Sequence, residues 1–245
     1  MSRLSTNGRQ TNGKQHGLTI PPPAIEEPKP VGRGRGRPPT KTDVASLLEV
    51  RIPELDLKRI TIVVGAREGS TLILHKWSEK AKRQIRDRGQ RVPRVRVARD
   101  PKADFLAAKY LDEKGRDCIR ADAFKSAMVY AARFSAGELP MTVLKGAFFV
   151  LGELLPLKFK KCLNREDFPP LPSGGTEPRY RPEYHDWSVA LPIEYNANVI
   201  SPAQILNLLN LAGFHVGVAE WRPCSKKSTG THGRFEVQRP SEVRP

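Results

Sequence analysis

The sequence contains few of the residues that build disulfide frameworks, metal centres or membrane spans. Its three cysteines, Cys118, Cys162 and Cys224, lie far apart and match neither a disulfide framework nor the spacing of zinc ligands. No apolar run reaches the roughly 18–20 residues that a membrane helix requires, and the polar N-terminus lacks the apolar centre of a secretory signal. These absences predict a cytoplasmic protein with reduced thiols, no metal site and no membrane association.

Motifs of common enzyme classes are also missing. The sequence has no Walker A motif, no dinucleotide-binding glycine fingerprint and no His-Glu-x-x-His zinc motif. His75 could act as the general base of a nuclease, but a polar residue at the end of a strand is the simpler interpretation. Glu183, His185 and Asp186 could bind a metal ion, but in a proline-rich stretch solvated charge is commoner. The sequence therefore predicts a protein that is not an enzyme and has no cofactor.

Basic residues, in contrast, are abundant. The chain has 42 Lys and Arg against 26 Asp and Glu, a formal net charge of +16 and a sequence pI of about 10.1. Residues 1–41 carry eight basic and two acidic residues, and residues 76–102 carry eleven basic and three acidic residues. Because such concentrated charge attracts polyanions, the sequence predicts a nucleic-acid-binding protein that contacts the phosphate backbone.

The N-terminal basic segment contains an AT-hook-like core, the type of peptide that lies in the minor groove of A·T-rich DNA. The core consists of Arg35, Gly36, Arg37 and Pro38, and Arg33 and Lys41 flank it as further basic residues. Glycine lets the backbone approach the groove floor, the arginines follow the narrow negative groove, and proline fixes an extended exit. The alternative is a generic basic tail that contacts only phosphate. DNA is therefore the favoured partner, and RNA is compatible with the same charge.

Composition divides the chain into three parts. Residues 1–45 are rich in Gly, Pro, Thr, Asn and Arg and nearly without aliphatic residues, which predicts a disordered basic arm. Residues 46–239 are predicted to form one α+β nucleic-acid-binding domain, and residues 240–245 a tail. The order of elements predicts a ferredoxin-like sandwich, an antiparallel sheet with helices on one face. Aromatic residues make up only 7% of the chain and show no RNA-recognition-motif spacing, so base stacking on the sheet is not indicated.

Periodicity and turn residues predict the local elements of the domain. The first elements are a hairpin or broken strand over 59–64 and 71–74, a helix over 122–134 capped by Asp122, and a buried strand over 145–151. A long loop over 164–183 follows, and then a strand over 187–195 that Pro192 places at an edge or bulges. The last elements are a helix that starts with a capping box at Ser201–Gln204 and ends at Gly213, and paired strands over 214–219 and 233–237.

The second basic segment is predicted to begin with a helix from Lys76 to Arg88, capped by Ser78, with Trp77, Ala81 and Ile85 on one apolar face. Arginines alternate with apolar residues over 91–97, as in an edge strand, and a solvated loop is the alternative. The predicted phosphate contacts of this segment are Lys76, Lys80, Lys82, Arg83, Arg86, Arg94 and Arg96.

A third set of basic residues lies in the segment from Arg222 to Arg234. It contains Lys226 and Lys227 beside Gly230 and Gly233. Glycines permit close approach of a backbone to phosphate, and the basic side chains supply charge, which predicts a ligand-contacting loop. An exposed turn with solvating lysines is the alternative.

Residues 74–82, 195–201, 207–214 and 217–223 resemble a family of proteins from tailed bacteriophages and prophages, and this likeness covers about residues 50–238. It implies either a small nucleic-acid binder, able to self-associate along its ligand, or a phage structural or assembly protein whose arm contacts packaged genome or an acidic partner. Residues 230–237 also resemble, with fewer glycines, the glycine-rich loop of the ferredoxin-like repeat-associated RNA-binding (RAMP) proteins of CRISPR complexes, which implies contact with an RNA backbone.

Overall fold

A computed structural model describes residues 53–79, 82–83, 85–86, 99–135, 137, 139–170, 174–225 and 229–239. The arm over 1–45 and the tail over 240–245 therefore lie outside the described residues. The same applies to these predicted site residues: Arg33, Arg35, Gly36, Arg37, Pro38, Lys80, Arg94, Arg96, Lys226 and Lys227.

The described strands are β1 Leu57–Ala66, β2 Leu72–Ile73, β3 Tyr110–Leu111, β4 Asp117–Arg120, β5 Phe148–Val150, β6 Leu154–Lys158, β7 Lys161–Asp167, β8 Arg179–His185, β9 Ser188–Asn196 and β10 Phe235–Val237. The α-helices with defined bounds are α1 Pro101–Ala107, α2 Ala121–Ala131, α3 Met141–Ala147 and α4 Pro202–Leu211. A 3₁₀ turn, Ala132–Phe134, follows α2, and a π-helix, Ala212–Val216, follows α4. Glu79, Lys82, Arg83, Ile85 and Arg86 are also helical.

The central part of the fold follows the ferredoxin-like order. In the chain, β1, α2, β5, β9, α4 and β10 succeed one another as β-α-β-β-α-β. In the sheet, β10 pairs with β1, β1 with β9, and β9 with β5, and each pair is antiparallel. This order of strands and helices defines the ferredoxin-like arrangement, so the predicted α+β class with antiparallel strands is confirmed. The remaining strands and α1 are insertions between β1 and α2 and between β5 and β9.

One face of the central sheet forms the core. Ile62 pairs with Leu191 across β1 and β9, and Val64 pairs with Val189. All four side chains are buried. Phe124 of α2 packs edge-on against Phe235 of β10, with ring centroids 5.4 Å apart. Residues of α4, including Leu209, belong to the same core. Helices α2 and α4 therefore cover this face, as the sequence predicted.

The predicted long loop over 164–183 is wrong. Strands β7 and β8 form a hairpin, joined to β2 in a second sheet. The pairing places Arg165 opposite Arg181, and Asp167 accepts hydrogen bonds from both guanidinium groups, at 2.9 Å and 2.7 Å. Because charge pairs rather than alternating apolar residues stabilise these strands, hydrophobic periodicity gave no signal for them.

Strand β9 was predicted correctly in extent but not in position. It is a central strand, paired with β1 on one side and with β5 and β6 on the other. In a strand the C=O and the N–H of one residue point to the same side. The carbonyl of Pro192 points to the side of β9 on which the partner changes from β5 to β6, so the missing N–H of Pro192 removes no hydrogen bond to β1. There its oxygen accepts from the Leu151 N–H at 2.8 Å.

The helix α4 begins as predicted but ends differently. Ser201 and Gln204 form the reciprocal capping box. The helix then widens into the π-helix, so the strand predicted over 214–219 is wrong, and β10 pairs with β1 instead. A Cβ atom at Gly213 would overlap the carbonyl of Phe235, so this glycine serves close packing of the π-helix against β10. Gly217, with φ of 68°, ends the helix, and its N–H donates to the Ala212 oxygen at 2.8 Å.

Smaller differences concern the first half of the domain. Strands β1 and β2 belong to different sheets and are not a hairpin. Asp122 lies in the first turn of α2, whereas Arg120 occupies the N-cap position without a side-chain cap. The segment predicted as a strand over 145–151 is helical up to Ala147 and extended only from Phe148. Among the described residues, no helix is long and apolar enough to cross a membrane.

Candidate nucleic-acid interface

The first part of the candidate interface is the surface formed by Lys76–Glu79 and the helical residues Lys82, Arg83, Ile85 and Arg86, here called the basic surface. Its backbone is fixed on both sides of Trp77: the Lys76 N–H donates to the Ala108 oxygen at 3.0 Å, and the Lys82 N–H donates to the Ser78 oxygen at 3.0 Å. The helix thus begins directly after Ser78, in agreement with Ser78 as its predicted cap, whereas Lys76, its predicted first residue, precedes it.

The predicted apolar face of this helix does not pack into the core. Trp77 is 59% exposed and Ile85 is 51% exposed. Trp77 also precedes the first helical residue, Glu79, so the predicted helical face that combines Trp77 with Ile85 is wrong. Neither Trp77 nor Ile85 belongs to the core, so the indole remains on the surface, next in the chain to Lys76.

Positive charge predominates on the basic surface. Glu79 is the only acidic residue among its described members, and it pairs with Lys82 at 2.6 Å and with Arg86 at 3.8 Å. The hydrogen bond from Lys82 lowers the pKa of Glu79 below its usual value. Lys76 Nζ lies 5.9 Å from the centroid of the Tyr110 ring. The described members of this surface thus comprise four cations and one carboxylate, which leaves an excess of positive charge.

The second part is the loop from Gly217 to Arg234. Arg222 Nη1 donates to the Ala219 oxygen at 2.8 Å, and Arg234 Nε donates to the Thr231 oxygen at 3.3 Å. The Arg234 N–H also donates to Ser70 Oγ at 2.9 Å, which fixes the end of the loop beside β2. Both arginines are half-buried, so they present less free charge than the basic surface does.

The glycines of this loop serve the fold. The Gly233 N–H donates to the Thr71 oxygen at 2.7 Å, and the Gly230 N–H donates to the Arg222 oxygen at 3.4 Å. Cβ atoms at these positions would overlap the carbonyls of Val218 and Trp221. The interpretation that these glycines bring backbone amides to phosphate is therefore corrected, because both amides already have partners within the chain.

A buried ion network, which sequence reasoning missed, connects this loop to the β7–β8 hairpin. Arg181 is 2% exposed and pairs with Asp167 at 2.7 Å and with Glu220 of the loop at 3.6 Å. Thr71 Oγ1 donates to Glu183 at 2.6 Å and lies 2.8 Å from Nδ1 of loop residue His232. Since these residues are distant in sequence, no local pattern could have revealed that they anchor the loop.

Burial shifts the titration of the two histidines at this network. Loss of solvent lowers the pKa of His75 below its ordinary value of 6.5; the carboxylate of Glu220 opposes this shift, and the guanidiniums of Arg181 and Arg179 add to it. Burial also lowers the pKa of His232. Both imidazoles are therefore neutral at pH 7.

An exposed aromatic cluster was also missing from the sequence predictions. Phe134 stacks on His215 with ring centroids 4.4 Å apart, and His215 meets Phe214 edge-on at 4.9 Å. The Arg67 guanidinium lies 5.0 Å from the Phe214 centroid. Phe214 and His215 lie in the π-helix, and the sequence contains no pattern that predicts a π-helix.

Within the described ranges, no three His, Cys, Asp or Glu side chains are grouped so that they could hold a metal ion. No protein-family model and no curated protein matches this chain, so the resemblance to phage proteins stays a prediction. Among solved structures, the chain is similar to Cmr6 from Pyrococcus furiosus, with a TM-score of 0.37 and 13% sequence identity over 76% of this chain and 100% of that chain. This TM-score is too low to transfer fold details or function, so function rests on this chain's own residues.

Proposed function

We propose that this protein is a non-enzymatic nucleic-acid-binding protein of the cytoplasm that contacts the phosphate backbone. The observation that carries the proposal is the basic surface, whose described members include four cations, Lys76, Lys82, Arg83 and Arg86, and one carboxylate, Glu79, which pairs with Lys82 and Arg86. An ordinary solvated helix balances its charges, whereas this surface retains an excess of about three positive charges near the start of one helix.

Phosphate binding to such a surface gains free energy from the release of counterions condensed on the nucleic acid. Arg86 is 71% exposed and its contact with Glu79 is long, 3.8 Å, so its guanidinium can exchange that partner for phosphate at little cost. Arg83 is also exposed. These two arginines are therefore the best placed of the described cations to contact a ligand.

The loop from Gly217 to Arg234 would contribute through side chains. Its glycine amides are occupied within the fold, so Arg222 and Arg234 are the described groups of the loop that can reach a phosphate. The predicted AT-hook-like arm would add contacts to duplex DNA, which favours DNA as the partner.

The salt dependence of binding tests the role of the basic surface. Replacement of Arg83 and Arg86 by glutamine should weaken binding and reduce the slope of log affinity against log salt by about 1.4 on single strands and about 1.8 on duplex. The matched control removes two exposed cations from other elements, Lys145 of α3 and Lys161 of β7. Affinity should be measured by fluorescence anisotropy over a salt series.

Equal slopes for both double variants would contradict a specific role for the basic surface, because charge removed anywhere would then have the same effect. A wild-type protein that binds no polynucleotide at low salt would reject nucleic-acid binding. Association with capsid or tail subunits in that case would favour the role in phage structure or assembly.

A further inference from the structure

The three tryptophans of the chain differ sharply in their surroundings. Trp187 is only 1% exposed and belongs to the core, and Trp221 is half-buried in the loop before Arg222. Trp77, in contrast, is 59% exposed. A surface indole of this size leaves a large apolar area in water, and such residues commonly mark a site of interaction.

Trp77 is also held in a defined position. The preceding residue, Lys76, is tied by its backbone N–H to the oxygen of Ala108, a buried residue. The following residue, Ser78, accepts the first hydrogen bond of the helix from Lys82. Because the main chain is fixed on both sides, the ring can bind a planar partner without the entropy loss of ordering a loose segment.

The basic residues that lie near Trp77 in the chain indicate what this partner is. Lys76 adjoins Trp77 in the chain, and Lys82, Arg83 and Arg86 lie in the first two turns of the helix that follows. Protein–protein interfaces are enriched in tryptophan and arginine but depleted in lysine, so Lys76 and Lys82 are the residues of this surface that disfavour a protein partner. An aromatic platform beside phosphate-binding cations is the usual arrangement for unpaired nucleobases.

We propose that Trp77 is a stacking platform for an unpaired base, and that the basic surface thereby selects single-stranded nucleic acid over duplex. The inference rests on the proposed function and specifies the ligand of the same surface. Bases in a duplex are stacked on their neighbours and cannot offer a face to the indole, whereas bases in a single strand can. The adjacent cations then hold the phosphates on either side of the stacked nucleotide.

Substitutions at Trp77 test stacking directly on the full-length chain. Trp77→Leu keeps an apolar side chain but removes the aromatic face, and Trp77→Phe keeps a smaller aromatic face. With 12-residue oligothymidylate or oligouridylate, Trp77→Leu should lower affinity by roughly 5- to 100-fold, and Trp77→Phe by about threefold or less. Duplex affinity should stay within about twofold for both variants. Since the side chain is mostly exposed, thermal stability should be unchanged, which separates loss of stacking from loss of folding.

Tryptophan fluorescence provides an independent readout. Binding of an oligonucleotide should quench the emission of the exposed Trp77, while the core residue Trp187 should not respond. In the Trp77→Phe variant most of the quenching should disappear although anisotropy still reports binding, and quenching that remains would come from Trp221, which is half-buried in the loop.

Wild-type affinity of a folded Trp77→Leu variant for single strands would overturn the inference, as would an equal loss on single strands and duplex. If the Arg83→Gln and Arg86→Gln variant loses binding while Trp77→Leu does not, the proposed function stands and stacking fails. If the wild-type protein binds no oligonucleotide but depends on Trp77 to associate with another protein, the surface is a protein interface and both proposals fail.

Discussion

Replacement of Gly233 by alanine would test whether the glycines of the loop serve the fold. Gly233 has φ of 66°, and an alanine in this left-handed region costs about 1–2 kcal/mol. Its Cβ would also overlap the Val218 oxygen. The backbone shift that relieves this overlap weakens two hydrogen bonds, from the Gly233 N–H to the Thr71 oxygen (2.7 Å) and from the Val218 N–H to the Gly233 oxygen (2.9 Å). At about 0.5–1.5 kcal/mol each, they raise the total cost to about 2–5 kcal/mol.

Thermal unfolding followed by circular dichroism would measure this cost. In a domain of this size, 1 kcal/mol lowers Tm by about 2–4 °C, so we expect a fall of about 10 °C for Gly233→Ala. Two controls separate the contributions. Gly69 has φ of 71° with open space around its Cβ position, so Gly69→Ala has only the conformational cost and should lower Tm by about 4–5 °C. Gly230 has no positive φ but would overlap the Trp221 oxygen, so Gly230→Ala pays only for overlap, about 6 °C.

If Gly233→Ala lowered Tm no more than Gly69→Ala does, the close packing of Gly233 against Val218 would not contribute to stability. Should the same variant also lose polynucleotide affinity while it remains folded, the sequence interpretation of a phosphate-contacting glycine loop would be restored.

Two further predictions concern pH and the arm. Burial lowers the pKa values of His75 and His232, so below pH 6.5 the unfolded chain binds protons that the folded chain does not. The free energy of unfolding should therefore keep its full value at pH above 6.5 and decrease as the pH falls below 6.5. Urea unfolding at pH 7.5 and 5.5 would check this, and a His75→Gln and His232→Gln double variant that retains the full fall would contradict it. Arg35→Ala with Arg37→Ala should weaken binding to A·T duplex more than to G·C duplex in a competition assay, since the predicted core fits a narrow minor groove; an equal loss on both would reduce the arm to a generic polycation.

The sequence alone determined those elements whose signals are local. Ser201, Pro202 and Gln204 define a helix start within four residues, and the structure contains that start with its capping box. The alternation of Val189, Leu191, Ile193 and Tyr195 predicted the strand with its buried face. The order of such elements was sufficient to predict the ferredoxin-like arrangement, because short connections leave few ways to close an antiparallel sheet.

Local signals failed where partners are distant in sequence. The β7–β8 hairpin is stabilised by charges such as Arg165, Asp167 and Arg181, which in isolation indicate a solvated loop. Pro192 indicated an edge, but it lies in a central strand at the point where the neighbouring strand changes. Whether such a charged residue or proline is compatible with a strand depends on the residues of the neighbouring strands. Strand pairing determines which residues those are.

The candidate interface shows the same division. The sequence established the excess of basic residues over 76–102 and hence the attraction to polyanions, because charge depends only on composition. The exposure of Trp77 and the hydrogen bonds that occupy the amides of Gly230 and Gly233, in contrast, follow from the tertiary structure. Exposure and hydrogen-bond occupancy depend on which surfaces the rest of the chain covers, and this is fixed only when the core is complete.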